Sequence, residues 1–314
     1  MIIKLISLSG NKTMATKVKL SVISWLILIV LMLTWGSSFI LIKKGLSVFD
    51  SMQVGALRVG IAFIVLLPFA FSRLKLLSRK HWLVLTIVSF GSAAPAFLFP
   101  LAQMGIDSGI AGILNSLTPL FTLIIGLSLF QLKTKWFNVV GVIIGLAGAI
   151  GLISVSGGGN FSFNFGYASY IIIATILYAF NGNLIKSFLK ELDSFTITIF
   201  SFFIFGLPAI IYLFTGTDFV TKFSTHPQFW EGMAYLSTLA ILGTAAALIA
   251  FFYLIKITNV IFASSVTYLI PIVALAWGII DGERFEISYM LWVSFILIGI
   301  YLVNAKKLLL IKRK

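Results

Sequence analysis

Arg58 is a permanent cation set within an otherwise apolar run. An ionisable group in such a place is a functional candidate by default. It can attract a carboxylate or another anion, or it can reach the nearby interface and pair with Asp50 or Asp107. Pro119 and Pro271 also lie inside apolar runs. A proline ring there deprives the carbonyl four residues earlier of its helical donor. Those carbonyls belong to Asn115 and Thr267, whose side chains are polar as well. In hydrocarbon they must find partners in protein, water or a solute. Asn115 and Thr267 are therefore candidate solute contacts, or else bridges to neighbouring helices. Trp35 and Ser38 in the first apolar run, with Tyr178, Asn181 and Asn183 in the sixth, extend the candidate path. Trp35 and Tyr178 equally suit an interfacial aromatic belt, and Ser38 suits close helix packing.

What is missing bounds the chemistry further. There is no cysteine, and the two histidines, His81 and His226, fall in short polar connections. No nucleophile stands with an acid–base pair, and no Gly-Lys-Ser/Thr loop is present for ATP. The sequence thus points to no catalytic residue, no metal and no cofactor. No Asp, Glu or His lies deep in an apolar run, which weighs against an intramembrane proton relay. Edge acids such as Glu283 leave other coupling open.

The elements that must position these residues are membrane helices. The chain has 314 residues, 60% hydrophobic and 10% charged, with a mean hydropathy of +1.11. A soluble chain carries roughly 25% charge, so lipid has to be the outer solvent. A spanning helix needs about 20 apolar residues. Ten runs qualify: 22–42, 53–72, 82–104, 109–130, 136–155, 166–189, 194–214, 232–255, 260–280 and 286–305. Gly157-Gly158-Gly159-Asn160 marks a central loop, and 215–231 is the longest connection. Gly141, Gly145, Gly148 and Gly151 form a close-packing stripe on the fifth run.

The net charge of +14 would suit nucleic acid, but the cations sit at the ends of the apolar runs. That is a topology signal, and nucleic-acid binding is not expected. With both termini cytoplasmic, 18 of the 23 Lys and Arg face inward. Lys43, Lys44, Lys222 and Arg284 face outward, as do most of the acids. The basic, then apolar, N-terminus reads as an uncleaved first helix. Translation starting at Met1 or at Met14 fits equally.

The sequence repeats internally. A shift of 152 lays Gly91-Ser92-Ala93-Ala94 on Gly243-Thr244-Ala245-Ala246, Pro119 on Pro271 and Gly126 on Gly278. A shift of 143 lays Leu41-Ile42-Lys43 on Leu184-Ile185-Lys186, and Asp50-Ser51 on Asp193-Ser194. Trp35 then matches Tyr178, Ser38 matches Asn181, and Arg58 matches Ser201. The expected fold is all-α and membrane-integral: ten spans as two inverted five-helix repeats, 22–155 and 166–305. Inverted repeats are a transporter architecture, with the solute site near the midplane between them.

The segment Leu33-Thr34-Trp35-Gly36-Ser37-Ser38-Phe39 resembles the opening of EamA-type proteins of the drug/metabolite transporter superfamily. Arg58, Pro68, Pro119, Pro271 and Gly282-Glu283 are similar to that family too. Gln131 departs from it, since an acid often follows the fourth span there. The resemblance implies a ten-helix transporter, often an exporter of amino acids or other small metabolites. The reading is an inner-membrane carrier of small amino-acid-like or drug-like solutes, working by alternating access in a bacterium. Its partners are the solute and the bilayer, and a homodimer is left open. The competing readings are a non-transporting scaffold, a lipid flippase and a lipid-modifying enzyme.

Overall fold

The computed structural model describes residues 2–130, 136–155, 161–258, 263 and 266–310. Gln131, the loop at 157–160 and the start of the ninth expected span lie outside the described residues. The described chain is helical, with no strand among those residues. In order, the helices are α1 (Ile2–Leu46), α2 (Ser51–Arg73), α3 (Arg79–Gln103), α4 (Ser108–Asn115), α5 (Thr118–Phe130), α6 (Trp136–Val155) and α7 (Phe161–Phe188). Then come α8 (Ser194–Thr215), α9 (Phe219–Thr225), α10 (Phe229–Thr238), α11 (Ala247–Ile257), α12 (Val266–Ile280) and α13 (Ser288–Leu310). A π-helical segment, Leu239–Ala246, joins α10 to α11.

Eight helical stretches among the described residues are long and apolar enough to cross a membrane. The two remaining expected spans appear there as shorter apolar helices, Leu269–Ile280 and Ser288–Leu302. Large apolar side chains such as Ile64, Phe71, Leu83, Ile143 and Ile298 are exposed on the outside of the bundle, as lipid-facing residues should be. The connection at 215–231 is not all loop, because it holds α9.

Local chemistry fixes the helix ends. Asp50 caps α2 by accepting from the Met52 and Gln53 N–H groups, and Gln53 returns a contact to the Asp50 N–H. Asp193 caps α8 by accepting from the Thr196 N–H. Each cap satisfies amides that the first helical turn leaves without partners.

Two expected helices are not regular. The fourth span breaks at Ser116 and Leu117, whose N–H groups bond back only three residues, to Ile113 and Leu114. Pro119 therefore stands in the first turn of α5, where a missing N–H costs nothing. The eighth span widens into the π segment, where Thr244 Oγ1 donates to the Leu239 carbonyl five residues back. Such widened turns are frequent at functional sites.

In the packing, α2 lies against α8, α6 against α13, and α4 against α12. Helix α3 packs on α7, while α1 packs on α10, the π segment and α11. Positions matched by the sequence repeat meet in corresponding pairs. Asn181 sits so close to Gly91 that a Cβ there would collide with its amide. Its counterpart Ser38 faces Gly243, where a Cβ would lie 2.9 Å from Ser38 Oγ. Tyr178 stacks on Phe99 at 6.1 Å, and their counterparts Trp35 and Phe251 meet at 5.1 Å. The glycine stripe of α6 is buried against α13, and a Cβ at Gly151 would strike the Trp292 ring.

Candidate functional site

Arg58 does not pair with Asp50 or Asp107. Its side chain is only 8% exposed, and it turns into the bundle. Its Nε donates to Thr244 Oγ1 at 2.8 Å. Thr244 lies on the π segment, 15 residues past the start of α10, or about 20 Å along a helix. The guanidinium also lies beside the Tyr178 hydroxyl of α7. No carboxylate lies within ion-pair distance of Arg58 among the described residues.

Aromatic groups enclose this polar centre. Phe99 stacks on Tyr178 and meets Phe39 edge-on at 5.7 Å. Trp35 Nε1 donates to the Gly243 carbonyl at 3.0 Å, next to Thr244 in sequence. Trp35 thus reaches the widened turn from α1, while Tyr178, its repeat equivalent on α7, lies beside the Arg58 that bonds to it. Ser38 Oγ donates back to the Thr34 carbonyl.

The other candidate residues have more local engagements. Thr118 Oγ1 donates to the Asn115 carbonyl at 2.8 Å, closing the acceptor that Pro119 leaves open. The Asn115 side chain is half-buried and makes no hydrogen bond among the described residues. Thr267 is half-buried on α12, four residues before Pro271. Asn181 Nδ2 donates to the Val88 carbonyl and to Ser92 Oγ, tying α7 to α3, while its Oδ1 is buried without a partner. Asn183 Nδ2 donates to the Thr122 and Ala179 carbonyls. Arg58, Trp35 and Ser38 thus reach the π segment, with Tyr178 beside Arg58, whereas Asn181 and Asn183 tie α7 to α3 and α5.

A second polar assembly closes the end of the bundle where α1 and α12 finish. Glu283 lies just beyond α12, and its side chain is 7% exposed. Its Oε1 accepts from the Ser108 N–H at 2.9 Å, from Ser108 Oγ at 2.6 Å and from Lys43 Nζ at 2.9 Å. Its Oε2 accepts from the Gly109 N–H at 3.0 Å. Glu283 thus caps α4 from a distant part of the chain, while the local N-cap residue, Asp107, makes no side-chain cap bond. The positive end of the α4 dipole favours this carboxylate further. Asp281 accepts from Lys43 at 2.7 Å and from Lys44 at 2.5 Å.

The backbone aims Glu283 at α4. Gly282 has φ +85°, the left-handed conformation that glycine adopts without strain. The Gly282 N–H bonds to Ile279 and the Glu283 N–H to Gly278, which is a Schellman ending. A Cβ at Gly278 would collide with the Glu283 carboxylate. Burial pushes the Glu283 carboxyl up, but hydrogen bonds from Ser108, Gly109 and Lys43 outweigh it and hold the group below the usual range. Hydrogen bonds from Lys43 and Lys44 lower Asp281 as well. Burial, with Glu283 beside it, raises Asp107.

The sequence had shown Lys43 and Glu283 only singly; it gave no sign that they meet, because 240 positions separate them. Thr244 was missed also. The one available signal was its match to Ser92 within the Gly-Ser/Thr-Ala-Ala repeat.

The EamA-like transporter family model matches residues 22–154 and again 166–305. The chain belongs to the EamA-like transporter family. An uncharacterized inner membrane transporter of Escherichia coli K12, YedA, is 28% identical over 90% of each chain. An uncharacterized transporter of Archaeoglobus fulgidus is 24% identical over 90% of this chain and 99% of its own. A chloroplastic WAT1-related protein of Arabidopsis thaliana is 24% identical over 90% of this chain and 69% of its own. One crystal structure shares the fold over 93% of this chain and 99% of its own, with a TM-score of 0.62 at 15% identity. Members of the EamA-like family are transporters, so this chain is a membrane protein of a transporter family.

Proposed function

We propose that this EamA-family chain carries small organic solutes, amino-acid-like or drug-like, across a bacterial inner membrane by alternating access. Ten spans form two inverted five-helix halves, 22–155 and 166–305. The matched contacts Asn181–Gly91 with Ser38–Gly243, and Tyr178–Phe99 with Trp35–Phe251, support that symmetry. The Lys and Arg distribution supports cytoplasmic termini, an orientation in which the Glu283 end is the outer one. YedA, the inner membrane relative, supports the location. Solute meets Arg58, Tyr178, Trp35, Ser38 and Thr244 near the midplane. Asn115, Thr267, Asn181 and Asn183 flank them along the path, with Pro119 in the first turn of α5 and Pro271 inside α12. Export rests on family resemblance.

One observation carries this reading: the halves are locked by Lys43, Glu283 and Ser108 at one end, above a buried polar centre. A carrier needs a barrier that can open on one side of its site while the other side stays shut. A lipid flippase fits less well. The apolar groove of about 340 Å³ beside α5 and α6 is lined by Leu123, Ile124, Leu127, Val139 and Val142, with Ser128 its single polar side chain. A headgroup would have little to follow there.

The test is extracellular metabolite profiling of cells expressing the wild type or the Asn115→Leu, Thr267→Val double variant at matched membrane levels. The expected result is a solute enriched outside the wild-type cells and reduced with the variant. Equal enrichment with both proteins would remove Asn115 and Thr267 from the path. No enrichment over empty cells would contradict export.

A further inference from the structure

We infer that Arg58, set by Thr244 and Tyr178, is a carboxylate seat, and that the transported class is a small organic anion with a flat apolar body. This rests on the transport reading and sharpens it.

The argument starts from the cost of the cation. An arginine stays charged in any protein environment. A buried charge is tolerated where it is paired and hydrogen-bonded. Arg58 is nine-tenths buried, yet no carboxylate lies within ion-pair distance among the described residues. Four other cations among the described residues do have acids: Lys43 has Asp281 and Glu283, Lys44 has Asp281, Arg73 has Asp193, and Lys222 has Asp50 and Asp218. Arg58, the one buried cation among the described residues, has none.

Its geometry is also set. The guanidinium has five donors in one plane. Thr244 engages Nε at 2.8 Å and the Tyr178 hydroxyl hydrogen-bonds the guanidinium, so an arriving carboxylate would meet the remaining terminal N–H donors. Thr244 is held in turn by its bond to Leu239, which exists because the segment is π-helical. The Tyr178 hydroxyl beside the guanidinium offers a further hydrogen-bonding group. The Tyr178 ring stacks on Phe99, which meets Phe39 edge-on, so the neighbourhood of the charge is flat and apolar and suits a planar apolar group. No Asp or Glu lies in this core to favour an amine. Cationic solutes are therefore disfavoured by direct repulsion from Arg58.

The test uses the purified full-length chain and three probes of one shape: benzoate, benzamide and benzylamine. Ligand-dependent thermal protection is measured for the wild type, Arg58→Gln, Arg58→Lys and Thr244→Val. Benzoate should protect the wild type, and benzamide and benzylamine should not. Arg58→Gln should lose at least tenfold in benzoate affinity. Arg58→Lys should recover part of it, because a point charge replaces the planar guanidinium. Thr244→Val should weaken benzoate binding about threefold while keeping the preference for the anion, which separates positioning from mere loss of folding. Equal protection by all three probes, protection by chloride equal to that by benzoate, no protection by benzoate, or unchanged benzoate affinity in Arg58→Gln would each overturn the seat. Efflux of benzoate from proteoliposomes is read separately. Binding without efflux contradicts transport and leaves the seat standing, whereas efflux unaffected by Arg58→Gln overturns the seat and leaves transport standing.

Discussion

Two helix pairs cross the middle of this bundle, and they are fastened differently. Helices α2 and α8 are pinned at both ends by counterpart residues. At one end Gln53 donates to Thr217, just past α8, at 3.1 Å, and the capping Asp50 and Gln53 meet Lys222 of α9, the Gln53 contact at 2.8 Å. At the other, the capping Asp193 meets Arg73 at 2.7 Å, and Thr196, the counterpart of Gln53, accepts from Arg73 too. Helices α4 and α12 are latched at one end, by Glu283 and Lys43 on Ser108 and Gly109. The repeat puts Gln131 and Lys186 at the equivalent positions of the other end. Lys186 is exposed and makes no ion pair among the described residues. Closure near the end of α5 is aromatic, with Phe130 beside Phe180 and Phe188 at 6.4 and 6.5 Å. A pair held equally at both ends serves as a fixed axis. A pair held by charge at one end and by apolar contact at the other is biased to stay shut at the charged end.

The strongest way to break this comparison is Glu283→Gln, which gives the latched end the residue of its counterpart. Hydrogen bonds to a charged group contribute about 1.5–3 kcal/mol, so the latch should weaken by about 2 kcal/mol. Amide exchange at Ser108 and Gly109 should speed up roughly thirtyfold. An unchanged rate would mean that the carboxylate does not hold α4. The reverse change, Gln131→Glu, sharpens the comparison. By repeat register it supplies the acid that the other half lacks, and it should slow solute counterflow about fivefold, or about 1 kcal/mol. A smaller effect is expected on the fixed pair. Asp50→Asn and Asp193→Asn should each cost about 1 kcal/mol of stability or less, by similar amounts in thermal melting, since the two ends are equivalent. A large disparity between them would deny the symmetry.

The smallest effect concerns pH. Glu283 has its carboxyl lowered in the folded chain. Its contribution is therefore fully present above the ordinary carboxylate range and is lost only as pH falls through the depressed value. Asp107, raised by burial, takes up its proton first on acidification. The charges facing the latch are Lys43, Lys44 and Asp281, and Arg284 lines the same crevice as Glu283. Exchange at Ser108 and Gly109, corrected for intrinsic rates, should stay flat between about pH 8 and pH 5. A loosening within that window would contradict the lowered Glu283.

Much of the fold was legible because lipid imposes a simple rule on sequence. Apolar runs of about 20 residues marked helices, and Asp50 and Asp193 lie at the helix starts that their types suit. The repeat register, read from Gly, Pro and Lys coincidences, recurs in the contacts of Asn181 with Gly91 and Ser38 with Gly243. The departures have local causes. Thr118 donates to the Asn115 carbonyl, so the fourth span breaks into two helices and Pro119 begins the second. The π segment depends on Thr244 bonding five residues back, a choice that no apolar periodicity records. Of the two readings the sequence left for Arg58, pairing with an interface acid does not occur; its side chain reaches Thr244, 186 positions away. The latch joins Lys43 to residues 281–283, and a pairing over that distance leaves no trace in a single sequence.

The most direct measurement of one-ended latching uses the absence of native cysteine. Ile110→Cys, buried beside the latch at 3% exposure, and Phe130→Cys, near the opposite end, are labelled with a membrane-impermeant maleimide on sealed vesicles of each orientation. In the wild type, Cys at 110 should react slowly and Cys at 130 faster. Adding Glu283→Gln should raise labelling at 110 and lower it at 130, because opening one end closes the other. Labelling at both sites unchanged by Glu283→Gln, or raised together, would contradict a latch that alternates access to a central site.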